Sequence, residues 1–583
     1  MKGLSQNRGS SFFNKKTKKV MPDLAQTWQR LYDIGVKQNN KTQLDYTAYE
    51  IGYQLRISLE CDVRVPKDDP VRLLSAVLDR IDYRRINAAY SRLGRNEYPT
   101  RLLTKVWIYG YMRRMIYTRV VEAACRENLK FMYLLEGHKA PDHNTLARFR
   151  SRVLRSEVGE DLERQVVELL VQAGFVDMAT VFIDGTKIEA NANKYTFVWK
   201  KGTEKQREKL NVKVTEQLPG LLANTGIKYR LPEVIAVRHL KKIRKKLYAQ
   251  KQAEGIEFVH GTGRRKTPIQ RAIETVDGWI EKYKRYTRDI HICGDRNSYC
   301  KTDHDATFMH MKEDHMRNGQ LKPGYNVNVA TANGFIIGHY ISADRSDVQT
   351  LIPFMKKLRE AYPKHHPGRV VVDSGYESED NYCWFEELED CELYVKPSNH
   401  EVRKKKKYRT DISRRENMAY DPNSDTYTCA AGKPIRYDHD QHSKSAGGLS
   451  ITTSVYVCDH CKGCPLKEKC IRASGSKKPL EERSKVIYVS KRFAAQREAM
   501  EAKINTPEGK LLRVNRSIQA EGTFAFTKQD LDYRRFLCRG APKVSAEWSL
   551  LSIAANILKL HYKLKNGCLG TGLVIPKGFP VGL

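Results

Sequence analysis

Residues 179–194, ATVFIDGTKIEANANK, and residues 368–378, GRVVVDSGYES, carry one pattern twice: a short apolar run, an aspartate, then small residues. The runs Val181-Phe182-Ile183 and Val370-Val371-Val372 read as buried strands, being β-branched or aromatic and bounded by turn-forming residues. Asp184 and Asp373 are therefore expected at strand ends, followed by Gly185 and by Ser374-Gly375. A lone aspartate after a strand is most often a turn or helix cap. Two in the same setting within one sheet point instead to a pair of acids working together.

Between these two segments, GYNVNVATANGFIIGHYISAD (324–344) predicts a hairpin, Tyr325 to Thr331 and Phe335 to Ser342, turning at Asn333-Gly334. DVQTLIPFMKKLREAY (347–362) has helical apolar spacing, SEDNYCWFEELED (378–390) predicts a second helix, and CELYVKP (391–397) a last strand. Strand, hairpin, helix, strand, helix, strand is an α/β order. Residues 200–292 read as exposed amphipathic helices, RHLKKIRKKLYAQKQ among them, which suits either a DNA-tracking insertion or a solvated face. From about 398 to 505 the alternation stops, giving a basic run (Arg403, Lys404, Lys405, Lys406, Lys407), a cysteine cluster and charged linker sequence, read as a second insertion. Helices return over 509–528 and 543–564, and helices with interleaved arginines over about 70–155 suit a helix-turn-helix-like DNA-binding module or a plain bundle with a basic face. The expected organisation is an extension at 1–60, an all-α N-terminal DNA-binding domain at 61–175, an α/β core at 176–398 with a basic helical insertion at about 200–320, a cysteine-containing insertion at 399–505, core helices at 506–566 and a tail at 567–583.

Composition narrows the partner. The 583 residues hold 103 Lys and Arg against 68 Asp and Glu, a net charge of +35, which favours a polyanion, nucleic acid first, over a merely soluble basic protein or one touching ribosomes or acidic lipid. No apolar run reaches the roughly 18 residues of a membrane span, and the first residues lack an apolar signal core, so a cytoplasmic location is expected. Thirteen cysteines without an export signal argue against a disulfide framework.

Phosphodiester chemistry explains why acids should converge. Two divalent ions about 4 Å apart stabilise charge on the entering and leaving oxygens, and hard cations take carboxylate ligands. The third acid is expected from a helix: Glu521 in RSIQAEGTFAFTK, with Lys528 two helical turns on, or its rival Glu547 in KVSAEWSLL, which could instead pair with Arg539. Cys461-x2-Cys464 with Cys470 and Cys429 has the spacing of a small tetrahedral zinc site, and Cys458 competes for it. TDHDATFMHMKEDHM (302–316) fits no zinc spacing, which leaves Asp303 and Asp305 as DNA-proximal candidates.

IDGTKIEANANKYTFVWKK, VVVDSGYESEDNY, RSIQAEGTFAFTK and YSRLGRNEYPTRLLTKVWIYGYMR resemble the segments of bacterial insertion-sequence DDE transposases, most closely the insertion-sequence 1182 family, over roughly residues 60–565. The resemblance implies a ribonuclease-H-like core with helical and zinc-ribbon-like insertions behind the N-terminal helices. It also implies Mg²⁺ or Mn²⁺ held by Asp184, Asp373 and Glu521, structural Zn²⁺ on Cys429, Cys461, Cys464 and Cys470, and catalytic work for Lys528. Double-stranded DNA, transposon ends and target, is the implied partner, with phosphate contacts from Arg516 and Lys528 and a homodimer or larger assembly at synapsis; the basic run adds Lys404, Lys405 and Lys406 as expected DNA contacts. The related glutamate motif keeps a Tyr and an Arg before the Glu, whereas Val514 and Ser517 stand at those positions here, with Arg516 adjacent. Alternatives are a transposase-derived DNA-binding protein without catalysis, or a nuclease on the same fold.

Overall fold

The computed structural model describes residues 64–574 apart from 90–97, 262, 264, 312–318, 320, 472–477, 569 and 571. The expected extension at 1–60, part of the N-terminal motif and most of the tail lie outside the described residues. The central sheet has six strands: β1 (Thr180–Glu189), β2 (Thr307–His310), β3 (Leu321–Ala332), β4 (Phe335–Ser342), β5 (Arg369–Val372) and β6 (Glu392–Val395). Across the sheet they run β3-β1-β5-β6. β2 and β4 lie end to end on the outer edge of β3, pairing with residues 321–324 and 326–332. β3 is antiparallel to β1, while β5 and β6 are parallel to it. The β3–β4 turn follows its sequence signal, with Asn333 and Gly334 both at positive φ (53° and 81°) as a two-residue hairpin demands.

Helices α1 (Thr100–Met112) and α2 (Ser156–Gln172) precede the sheet, and α3 (Lys200–Thr225), α4 (Val237–Ala253) and α5 (Pro268–Cys293) stand between β1 and β2. α6 (Leu351–Ala361) and α7 (Glu379–Glu386) make the crossovers to β5 and β6, and α8 (Pro507–Arg516) and α9 (Ala541–Lys565) follow later. α9 is apolar on nearly every side, the pattern of a helix enclosed by protein. It packs on α1, α2 and β4, so one hydrophobic cluster runs from Val65 to Leu564 through the N-terminal helices and one face of the sheet. α3, α4 and α5 bury a core of their own, including Leu210, Val214, Leu240, Ile243, Leu247 and Ile273. A two-stranded ribbon, Phe197–Trp199 with Ser298–Cys300, roots this insertion. None of the described helices is long and apolar enough to cross a membrane.

The stretch expected to be charged linker contains an antiparallel sheet of five strands, Ala419–Asp421, Thr426–Thr428, Pro434–Lys444, Ser450–Cys458 and Lys485–Val489. Its longest strand, PIRYDHDQHSK, buries only Ile435. Both faces are wet there, so the period-two signal that reveals a half-buried strand is absent.

Candidate active site

Asp184 and Asp373 follow directly from the parallel register. Ile183 pairs with Val372, so the two aspartates come next at the same level of adjacent strands. Asp373 ends its strand as expected. Asp184 does not: β1 continues to Glu189 because β3 supplies an antiparallel partner over Gly185 to Glu189. Asp184 thus marks where the parallel half of the pairing stops, and it is 8% exposed there.

Phe182, Val371 and Tyr394 form a small core with Leu512 and Ala520 on one sheet face. Asp184, two residues beyond Phe182, shares that face by the period of a strand. α8 is fixed there from its start. Thr506 caps it by accepting from the Gly509 amide at 3.0 Å, Pro507 occupies the first turn, and Glu508 pairs with Arg369 of β5. A Cβ on Gly509 would collide with the Lys503 carbonyl and Ile504, so the chain's sharp entry into α8 requires glycine. Beyond Arg516 the helix carries on through a π turn (Ser517–Glu521), an α turn (Gly522–Ala525) and a second π turn (Phe526–Asp530). Such turns widen the helix and re-aim its side chains. Inside the first, Gln519 accepts from the Gly334 amide at 3.0 Å, tying the helix to the β3–β4 hairpin.

This brings the three predicted acids together around one guanidinium. Arg516 Nη1 lies 3.5 Å from Asp184 Oδ2, and Nη2 lies 3.9 Å from Asp373 Oδ1 and 2.8 Å from Glu521 Oε1. The Ser517 hydroxyl also donates to Glu521, at 3.2 Å. Arg516, expected to meet DNA, faces inward here with its side chain 14% exposed. Among the described residues, no group of three or more His, Cys, Asp and Glu side chains is gathered closely enough to hold a metal ion. The acids meet through a cation the chain itself provides.

Behind Asp184 lies a polar floor that the sequence reading missed. Asn326 donates to Asp347 Oδ1 at 2.6 Å, while Tyr376 and Thr350 donate to Asn328 Oδ1 at 2.6 and 2.8 Å. Burial, with Asp347, Asp184 and Asp373 nearby, holds the Tyr376 hydroxyl well above its ordinary pKa and keeps it a donor. Gly185 is needed where it stands, since a Cβ would lie 2.7 Å from Asp347 Oδ1 and 3.0 Å from the Tyr376 hydroxyl. The available signal was Asn326 and Asn328 alternating inside an otherwise apolar strand, two amides that burial must pair with something.

Lys528 lies in the second π turn and is 8% exposed. Glu547 accepts from the Leu537 and Cys538 amides at 3.0 and 2.8 Å and is 1% exposed. Its expected partner Arg539 donates instead to the Asn191 carbonyl at 2.8 Å. Asp303 and Asp305, expected near DNA, serve the fold: Asp303 accepts from Tyr325 and the Gly540 amide, and Asp305 from the Ala541 amide. Lys404, Lys405 and Lys406 are all exposed, with Lys404 3.3 Å from Glu401.

Cys429, Cys458, Cys461, Cys464 and Cys470 line one small cavity at the second sheet, and none is in a disulfide. The Lys485 amide donates to Cys461 Sγ at 3.3 Å. Burial pushes the Cys458 thiol up to about 11, with Cys461 and Cys429 adding to the shift.

Two family models match the chain: a transposase DDE domain over residues 428–561 and a transposase domain (DUF772) over residues 59–152. Both describe transposases. The first spans the cysteine cluster, Glu521, Lys528 and Glu547; the second spans the helices up to Arg152. Together they indicate an insertion-sequence DDE transposase, and the DDE domain indicates a DNA-cleaving enzyme. The chain has no match among curated proteins and none among solved structures.

Proposed function

We propose that the chain is an insertion-sequence transposase that binds terminal inverted repeats and performs metal-dependent strand cleavage and strand transfer at Asp184, Asp373 and Glu521. The observation that carries this reading is the meeting of those three carboxylates, from β1, the end of β5 and the extension of α8, around Arg516. The strand order supports a ribonuclease-H-like core, with β3 and β4 as its hairpin and β5 and β6 as its parallel half. The donor set fits a hard divalent ion, being carboxylate oxygens alone. Bound Mg²⁺ or Mn²⁺ would supply charge stabilisation to the entering and leaving oxygens of the phosphodiester. Arg516 balances the acids in the free chain; Asp184, Asp373 and Glu521 would hold the metal, and the Arg516 guanidinium would then be available to the scissile phosphate. Lys528 is assigned the same strand, and reaching it requires the ammonium to leave its cover. Lys404, Lys405 and Lys406 are assigned backbone phosphates farther along the duplex.

Zn²⁺ on Cys429, Cys461, Cys464 and Cys470 is proposed as a structural element of the second sheet. Its support is that these cysteines share one cavity, with a backbone amide already donating to one sulfur, the kind of outer contact thiolate sites use. Metal analysis of the purified protein should find about one zinc per chain, and a zinc-free, fully folded protein contradicts this assignment.

The catalytic reading is tested with DNA carrying the element's ends. Asp184→Asn, Asp373→Asn and Glu521→Gln should each lower Mg²⁺-dependent cleavage by at least about a hundredfold while end binding persists. Cleavage surviving in Glu521→Gln but lost in Glu547→Gln, with both proteins folded, would move the third acid to Glu547.

A further inference from the structure

We propose that the outer face of α4 is a phosphate track for duplex DNA of any sequence, an inference that rests on the DNA-handling function above. α4, VRHLKKIRKKLYAQKQA, carries seven Lys and Arg and no Asp or Glu. Leu240, Ile243 and Leu247 sink into the core shared with α3 and α5. Arg238, Lys241, Lys242 and Lys245 lie on the exposed side at helical spacings of three and four. Arg244 is neutralised by Asp277 of α5 at 2.7 Å, and Lys246 donates to the Lys228 carbonyl at 2.8 Å. Among the described residues the side chains of Lys241, Lys242 and Lys245 have neither ion pair nor hydrogen bond.

Like charges at these spacings destabilise a helix by a few tenths of a kcal/mol per pair. The neighbouring α3 avoids that cost by placing Glu204, Glu208 and Glu216 among its lysines. α4 has the same structural task without the acids, so its charge is segregated beyond what solubility needs, and a polyanion relieves the repulsion. The chemistry selects which polyanion. The apolar residues of α4 are already buried, leaving no face for a bilayer to receive. Lysine ammonium groups meet phosphates as point charges and cannot read base edges in the two-pronged way of arginine. The stripe from Arg238 to Lys245 covers about 10 Å of helix, the axial rise of about three phosphates on one strand.

The test is equilibrium binding of the full chain to a random-sequence DNA duplex across a salt series. The triple substitution Lys241→Gln, Lys242→Gln and Lys245→Gln should weaken binding by at least about tenfold near physiological salt. It should also lower the slope of log K against log salt by about 2.7, or 0.9 for each phosphate no longer neutralised. Changing the same three residues to Arg should restore wild-type binding. Lys205→Gln, Lys209→Gln and Lys213→Gln on α3 remove equal charge from exposed positions and should have little effect. Equal weakening by both Gln triples, or wild-type binding by the α4 triple with its circular dichroism intact, overturns the track while leaving the transposase reading in place. A wild-type chain that fails to bind duplex DNA at all overturns both.

Discussion

Arg516 spends its charge on three carboxylates at 2.8 to 3.9 Å, and that arrangement makes a measurable demand. At about 4 Å two unit charges interact by about 4 kcal/mol at an effective dielectric of 20. Asp373 and Glu521 are 41% and 55% exposed, so solvent reduces the net effect to about 1 kcal/mol. In the absence of DNA, Arg516→Gln should therefore bind Mn²⁺ about fivefold more tightly than wild type by titration calorimetry, whereas unchanged or weaker binding would mean that the guanidinium does not compete with metal. Glu547 belongs to a different class. Its carboxylate is buried and accepts two backbone amides, so Glu547→Ala should cost about 1–3 kcal/mol of stability in denaturant unfolding and leave Mn²⁺ affinity alone. The three acids that lie around Arg516 stand in the strings VFID, VVVD and IQAE, where they could be singled out one by one. The arginine's place among them could not be read, because sequence spacing cannot say whether a long side chain turns in or out.

Beside the Asp373 turn, Glu377 just ahead of α7 forms an ion pair with Arg497 of the helix at Lys491–Asn505, next to a second contact between Glu379 and Arg492. Glu377 accepts from Arg497 Nε at 2.7 Å and Nη2 at 2.8 Å, and from the Ser398 amide at 2.9 Å. Burial alone would raise the Glu377 pKa, but the Arg497 and Ser398 hydrogen bonds outweigh it and hold the carboxyl below its ordinary value. A carboxyl depressed in the folded state adds stability above its ordinary pKa, and that stability fades as pH falls through the lower folded value. Wild type should exceed Glu377→Gln by about 3 kcal/mol at neutral pH, with the gap closing below about pH 4. A gap that is constant with pH would show that the pair's contribution is packing alone. Among the elements, the hairpin was readable from its Asn333-Gly334 turn and the α6 crossover from its one wet and one dry face. The strand at 434–444 and the continuation of β1 past Asp184 were not: the first has no dry face, and the second depends on where β3 chooses to pair.

For the molecule as a whole, sequence separation and spatial separation diverge. Residues before about 175 and those of α9 were expected in different units, yet they share one core with the sheet. Local periodicity reveals that a face is apolar but not which distant element covers it. The α3–α5 insertion does keep its own core, anchored by a short ribbon, which lets it carry a charged face without disturbing the acids. Truncations should follow these cores: deleting α9 should unfold the sheet and the N-terminal helices in one transition seen by hydrogen exchange, since Trp548, Leu550 and Ile553 lie inside the common cluster. Retained protection of β1 and β3 after that deletion would mean that the sheet does not depend on α9. Asp184, Asp373 and Glu521 are proposed to hold the catalytic cation. A crystal of the chain grown with Mn²⁺ tests this by anomalous scattering. A peak bounded by those three carboxylates, with Arg516 turned away from them, is expected; a peak elsewhere, or none at Mn²⁺ concentrations that support cleavage, would contradict the assignment.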